Sequence, residues 1–191
     1  MRTKDKWNDR YKSANETPVQ AAMVLRENLH LLPRTGVALD LACGRGGNAL
    51  LLAQQGLQVV AWDISDVVID TVKQQAARLS VPITAEVRDV ETSPPAVKQF
   101  DVIVVSYFLD RNSVQALTDA LKSGGLIFYQ TFSRERVSDR GPQRDEFRLG
   151  KQELLQLFAG LEVVVYREEG LLGDTHAGYR DEALFIGRKP A

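Results

Sequence analysis

The chain has 191 residues, 44% hydrophobic and 26% charged, with a formal net charge of -1. That balance suits one ordinary globular domain and supplies no overall field toward nucleic acid, an anionic membrane or a polyanion. One cysteine, Cys43, rules out an intramolecular disulfide, and two distant histidines, His30 and His176, leave no Cys/His zinc cluster, so no metal is expected.

The start of the chain, MRTKDKWNDRYKSANETP, lacks the apolar core of a signal peptide. The longest strongly apolar run, Val102 to Leu109, is too short to span a bilayer. A cytoplasmic protein with no membrane partner is the expectation. A leading helix is expected over Val19 to Leu32, ending near Pro33. Strand candidates then follow at 36–42, 57–63, 83–89, 100–107, 124–132, 161–168 and 182–189. The first five are β-branched and bounded by turn residues, as buried strands are. Between them lie helical stretches. GNALLLAQQ stops at Gly56, a position for positive φ. SDVVIDTVKQQAARL opens on Ser65 as an N-cap and carries Val68, Val72, Ala76 and Leu79 as one stripe. SVQALTDALKS starts at Ser113 and stops before Gly124, and KQELLQLFA precedes Gly160.

Strand and helix in alternation require right-handed crossovers and a parallel sheet covered on both faces. The expected fold is α/β: a doubly wound, mostly parallel seven-stranded Rossmann-like sheet with an antiparallel last strand. Ligands bind such sheets at the carboxyl ends of the strands.

The first strand runs into Cys43-Gly44-Arg45-Gly46-Gly47. Three glycines within four residues suggest a backbone that a ligand approaches closely, or else a tight strand-to-helix turn. Residues 44–49 match G-x-G-x-x-A, a weak dinucleotide signal that keeps an NAD(P)-dependent oxidoreductase in view. Asp40 argues against it, because a carboxylate beside the loop repels a pyrophosphate and attracts a ligand with ammonium and sulfonium charge. Asp40 equally suits capping the loop's N–H groups. Asp63 ends the second strand nineteen residues after Gly44, the spacing of an acid that accepts from ribose hydroxyls; capping the next helix is the alternative. Trp62 beside it reads as packing. Asp89 ends the third strand and suits an exocyclic adenine amine, with the Val90 amide donating to the ring, or a solvated turn. Tyr107 and Phe108, after the fourth strand, belong either to the core or to the rim of the site.

Together, LDLACGRGGNALLLA, VVAWDIS, AEVRDVE, FDVIVVSYFL and LKSGGLIFYQTF, in that order, resemble the class I S-adenosylmethionine-dependent methyltransferases over about residues 7 to 188. The opening WNDRY, Trp7 to Tyr11, is similar to the TehB-like and thiopurine-methyltransferase-like branch. The resemblance implies S-adenosyl-L-methionine as cofactor, with Asp40 and Gly44 near its methionine part, Gly46 letting the backbone approach, and Ala42 among the residues that bind it. It further implies Asp63 on ribose, Ile64 on adenine, Asp89 and Val90 at the adenine edge, and Ser106 near the sulfonium. Trp7, Arg10 and Tyr11 would form part of a lid, unless the segment is an exposed helix docked on the sheet. The implied organisation is one domain over 1–191: N-terminal cap 1–33, cofactor-binding core 34–132, substrate-side loop 133–150, and C-terminal helix and strand pair 151–191.

The implied activity is in-line methyl transfer to a small-molecule acceptor, such as a thiol, a metalloid oxyanion or another small nucleophile. A non-catalytic adenosyl-binding module is the alternative from another class. No general base is evident, since a sulfonium donor is already activated and a thiolate acceptor needs none. His176 is a candidate in a late loop, and a solvated histidine otherwise. The loop 133–150 carries Arg134, Arg136, Arg140, Arg144 and Arg148 among acids; these grip an anionic acceptor or the cofactor carboxylate, or form a salt-bridged surface. Interrupting acids and few aromatics make a nucleic-acid face unexpected. Cys43 reads as a small packing residue.

Overall fold

Alternating side chains on the first strand divide the molecule into layers: Ala38 and Asp40 face one way, Leu39 and Leu41 the other. The structure, a computed structural model, describes residues 3–13 and 19–191; residues 1–2 and 14–18 of the expected N-terminal cap lie outside the described residues. Among the described residues the strands are β1 (Val37–Leu41), β2 (Gln58–Asp63), β3 (Ile83–Val87), β4 (Phe100–Ser106), β5 (Leu121–Phe132), β6 (Glu162–Arg167) and β7 (Glu182–Arg188). They form one sheet in the order β3-β2-β1-β4-β5-β7-β6. Pairing is parallel from β3 to β5, and β7 runs antiparallel to both β5 and β6. The expected doubly wound sheet with an antiparallel last strand is the observed one.

The helices are α1 (Thr3–Lys12), α2 (Met23–Arg26), α3 (Gly47–Gln54), α4 (Asp66–Leu79), α5 (Val114–Ala120) and α6 (Glu153–Leu157). On one face, Ala38, Val59, Val104 and Phe128 pack with Leu25, Leu52, Ile69 and Val72 of α2, α3 and α4. On the other, Leu39, Ile103, Tyr129 and Phe185 pack with Leu117, Leu154 and Phe158 of α5 and the α6 region. Because β1 is followed by β2 on one side and flanked by β4 on the other, the chain reverses its direction of progress between β1 and β4. That reversal opens a crevice at their carboxyl ends.

Several boundaries differ from expectation, each for a local reason. The helix expected over 19–32 shrinks to α2 and a 3-10 turn at Leu29–Leu31. Ala22 before it is extended, its N–H donating to Asn48 Oδ1 (2.8 Å), and the Val24 N–H in the first turn donates to Gln130 Oε1 (2.7 Å). β5 begins at Leu121, three residues early, where Leu121 pairs with Phe100 and Lys122 Nζ meets Asp101 at 2.7 Å. β3 ends at Val87 rather than Asp89: Arg88 lies over the Trp62 ring at 3.8 Å and donates to the Ser93 and Pro94 carbonyls. Ser65 stands at the N-cap of α4 without bonding it by its side chain, and Ser113 donates back to the Asp110 carbonyl. Gly56 has φ +93°, as its place after α3 requires.

Candidate cofactor site at the strand switch point

The β1–α3 connection is bent by three residues in the left-handed region, Ala42 (φ +53°), Gly44 (+50°) and Gly46 (+80°). Two of its glycines answer to packing. A Cβ on Gly46 would lie 2.7 Å from Val72 Cγ2 of α4, and one on Gly47 would lie 2.7 Å from the Gln20 carbonyl. A Cβ on Gly44 would instead point at the Tyr11 hydroxyl, 3.2 Å away. Gly44 is therefore the glycine whose open side faces the crevice.

Asp40 is fully buried at the floor. Its Oδ2 accepts from the Ala49 N–H (2.9 Å) and its Oδ1 from Asn48 Nδ2 (3.3 Å), which also donates to Ser106 Oγ (2.9 Å). Asn48 thus ties β1, β4 and the start of α2 at one point. Burial pushes the Asp40 carboxyl up to about 7, against the Asn48 and Ala49 bonds that pull it down, and the nearby Asp63 adds to the rise. Asp63 is also buried; its Oδ2 accepts from the Gly44 N–H and its Oδ1 from the Ser65 N–H, both at 2.9 Å. Burial raises its carboxyl too, while the N–H bonds oppose the rise. Each Asp63 oxygen retains a lone pair for a further donor. Neither acid forms an ion pair among the described residues.

Over this floor lies α1. Asn8 accepts from Ser65 Oγ (2.6 Å) and donates to Asp66 (3.0 Å), and Lys4 pairs with Asp66 at 2.7 Å. Trp7 stacks on Tyr11 at 5.7 Å with Arg10 over its ring, and burial, with Asp63 next, raises the Tyr11 phenol. WNDRY is a helix that docks on the start of α4 and lays Tyr11 across Gly44.

The structure brings Tyr11, Asp40, Gly44 and Asp63 together and links Ser106 to them through Asn48. Ala42 and Ile64, each half-buried, border the loop ends. Asp89 is half-buried in its own turn, accepting from the Glu91 N–H at 3.1 Å, and Val90 is buried on the opposite face. Trp62 is core packing. Burial raises the Cys43 thiol well above its ordinary range, so it stays protonated and is no nucleophile. His176 is exposed beside Asp174. Among the described residues no group of three His, Cys, Asp or Glu side chains is placed to hold a metal ion, and no helix is long and apolar enough to cross a membrane.

A second polar group adjoins the crevice at the ends of β4, β5 and β7. Glu182, 4% exposed, accepts from Gln130 Nε2 (2.6 Å), from the hydroxyls of Tyr107 and Tyr179 (both 3.3 Å), and from Arg140 (3.2 Å). Sequence reasoning missed Asn48, Gln130 and Glu182, although a glutamine and a glutamate on core-facing strand positions were a legible signal. The loop arginines divide. Arg148 is buried over Phe132 and donates to the carbonyls of Ser133, Pro142 and Arg140. Arg134 donates to the Asp145 carbonyl and Arg144 pairs with Glu146. Asp181 accepts from Val137 and Ser138. The loop is tied down from within.

Residues 38–125 match the family model described as "Methyltransferase domain". Over these residues the chain is similar to the methyltransferase domain family. The chain is 28% identical over 101 residues to a ubiquinone biosynthesis O-methyltransferase of Coxiella burnetii, covering 50% of this chain and 43% of that protein. It is 28% identical over 120 residues to the putative methyltransferase YqeM of Bacillus subtilis, covering 58% and 48%. The chain thus spans about half the length of the curated relatives it matches. In fold it is similar to TehB from Haemophilus influenzae (TM-score 0.72, 21% identity, 96% of this chain and 67% of that one). A putative S-adenosylmethionine-dependent methyltransferase from Listeria monocytogenes also aligns, at TM-score 0.68 and 16% identity over 88% and 98%. The methyltransferase domain model ends at Gly125, so α6, β6, β7 and the Glu182 group lie beyond it.

Proposed function

We propose that the protein is an enzyme that transfers the methyl group of S-adenosylmethionine to a small-molecule acceptor. The observation that carries this reading is a pair of buried carboxylates, Asp40 and Asp63, whose burial raises the cost of ionising each and which meet no cation among the described residues. Un-neutralised buried charge is expensive, and a cationic ligand bearing hydroxyls supplies both the missing charge and the missing donors. When bound, the cofactor supplies a methyl group already activated on a sulfonium. Asp63, with one free lone pair on each oxygen, holds the ribose diol; Asp40 stabilises the positive end directly or through water. Gly44 gives clearance, and Tyr11 closes over the loop and excludes water. Ile64 packs against the adenine, Asp89 and the Val90 N–H meet its edge, and Ala42, Gly46 and Ser106 complete the wall.

The test is calorimetric titration of the chain with S-adenosylhomocysteine and, separately, with NADH. Micromolar binding of S-adenosylhomocysteine alone supports the proposal. Binding of NADH alone reverses it in favour of a dinucleotide enzyme.

A further inference from the structure

The carboxyl end of β4 leads from the cofactor side of the crevice to the Glu182 group. Ser106 bonds Asn48, and the next residue, Tyr107, turns into the left-handed region at φ +57°. A bulky side chain at positive φ is uncommon and persists only where its surroundings fix it. Here the fixing contacts are clear. The Tyr107 N–H donates to the Gln130 carbonyl (2.9 Å), its ring lies 5.1 Å from Phe132, and its hydroxyl accepts from Gln130 Nε2 (3.1 Å). The hydroxyl proton then points to Glu182, whose two oxygens lie 3.3 and 3.4 Å away.

The two members of this pair differ in access. Tyr107 is 46% exposed, whereas Glu182 is 4% exposed behind it. Gln130 Nε2 and Tyr179 Oη crowd the same carboxylate from β5 and from the segment before β7, and Arg140 of the loop covers its outer side. A half-exposed phenol in front of a buried carboxylate, one residue beyond the cofactor crevice, is the arrangement of a proton relay. The exposed ring of Tyr107, backed by Phe132, also offers a flat aromatic wall.

We propose that Tyr107, acting with Glu182 behind it, receives the proton of an aromatic hydroxyl acceptor during methyl transfer. The inference rests on the methyltransferase reading and deepens it by naming the acceptor class. In the step, a lone pair of the acceptor oxygen forms the bond to the methyl carbon. The carbon–sulfur bond of the donor breaks, and its electron pair stays on sulfur, which leaves neutral. The acceptor's proton passes to the Tyr107 oxygen as the Tyr107 proton passes to Glu182, which ends as a neutral carboxylic acid. Tyr107 is the catalytic residue; Glu182 acts through it. The phenol itself is held protonated at rest, since burial and Glu182 push it up to about 12.

The experiment uses the full chain and two acceptors. Catechol keeps its hydroxyl proton near neutral pH; 4-nitrothiophenol is already a thiolate and needs no base. Binding of S-adenosylhomocysteine is measured first, so that its failure removes the cofactor reading itself. With binding established, methyl transfer from S-adenosylmethionine to both probes is followed in the parent, Tyr107→Phe and Glu182→Gln. The phenylalanine variant keeps the ring contact with Phe132 and guards against a folding defect in Glu182→Gln. The expected result is loss of about 100-fold with catechol in both variants, the scale of a general base. Transfer to the thiolate is unchanged, and the catechol loss shrinks as pH rises toward catechol ionisation. An equal loss on both probes, no loss, a loss that persists at high pH, or no transfer to either probe by protein that binds S-adenosylhomocysteine would each overturn the relay.

Discussion

Replacing Asp40 with asparagine removes the most costly charge in the site while retaining its shape and its bond to the Ala49 N–H. In the folded chain the Asp40 carboxyl titrates at about 7 instead of 3.8. At 1.36 kcal/mol per unit, keeping it ionised costs roughly 4 kcal/mol. Between about pH 4 and about pH 7 the folded chain therefore holds a proton that the unfolded chain has released, so this group lowers stability as pH rises through that window and is level above it. The assay is urea unfolding of the parent and Asp40→Asn across that range, taking the difference to cancel other groups. Asp40→Asn should gain on the parent with rising pH, by up to roughly 4 kcal/mol less whatever Asn48 loses when it faces a second amide. Cationic ligand reverses the sign. Binding of S-adenosylmethionine to the parent should tighten as pH rises through about 7, with release of a proton, and Asp40→Asn should lose both the affinity and its pH dependence. Parallel stability curves, or equal cofactor binding by the two proteins at every pH, would refute this reasoning.

Asp63→Ala should weaken S-adenosylhomocysteine binding by about 1–3 kcal/mol in calorimetry, because charge-assisted bonds to the ribose are lost; unchanged binding removes the ribose assignment. Gly46→Ala should destabilise by about 1–3 kcal/mol through its clash with Val72, and Val72→Ala in the same chain should recover part of that in a double-mutant cycle. Arg148→Met should cost about 3–5 kcal/mol in unfolding, since three carbonyls lose their donor, and should open the loop 133–150 to protease before the rest of the chain.

The sheet was legible because buried parallel strands leave apolar runs and their crossovers leave capped amphipathic helices, as in 57–63 and 65–79. Asp40 and Asp63 were legible for the opposite reason: each is a charge where the pattern demands an apolar residue or a turn. What escaped was long-range. The α2 region reads as a longer helix because its apolar spacing is helical, yet Asn48 takes the N–H of Ala22 where the chain is extended, and Gln130 takes that of Val24 in the first turn of the short helix that follows. Gly46 and Gly47 read as ligand clearance, while their crowding comes from Val72 and Gln20, residues that sequence spacing does not bring near. Glu182 escaped because its partners arrive from β4, β5 and two loops, and only the folded sheet assembles them. The loop arginines read as one group; the structure buries Arg148, commits Arg134 and Arg144 locally, and leaves Arg140, its side chain 64% exposed, on Glu182.

The most direct measurement is a crystal structure of the chain with S-adenosylhomocysteine. The expected density places the ribose hydroxyls within hydrogen-bonding distance of Asp63, the amino acid end above Asp40 and Gly44, and the sulfur open toward Tyr107. Ligand bound elsewhere, or in the crevice with Asp40 and Asp63 both turned from it, would contradict the central claim that these two buried acids hold a cationic adenosyl cofactor.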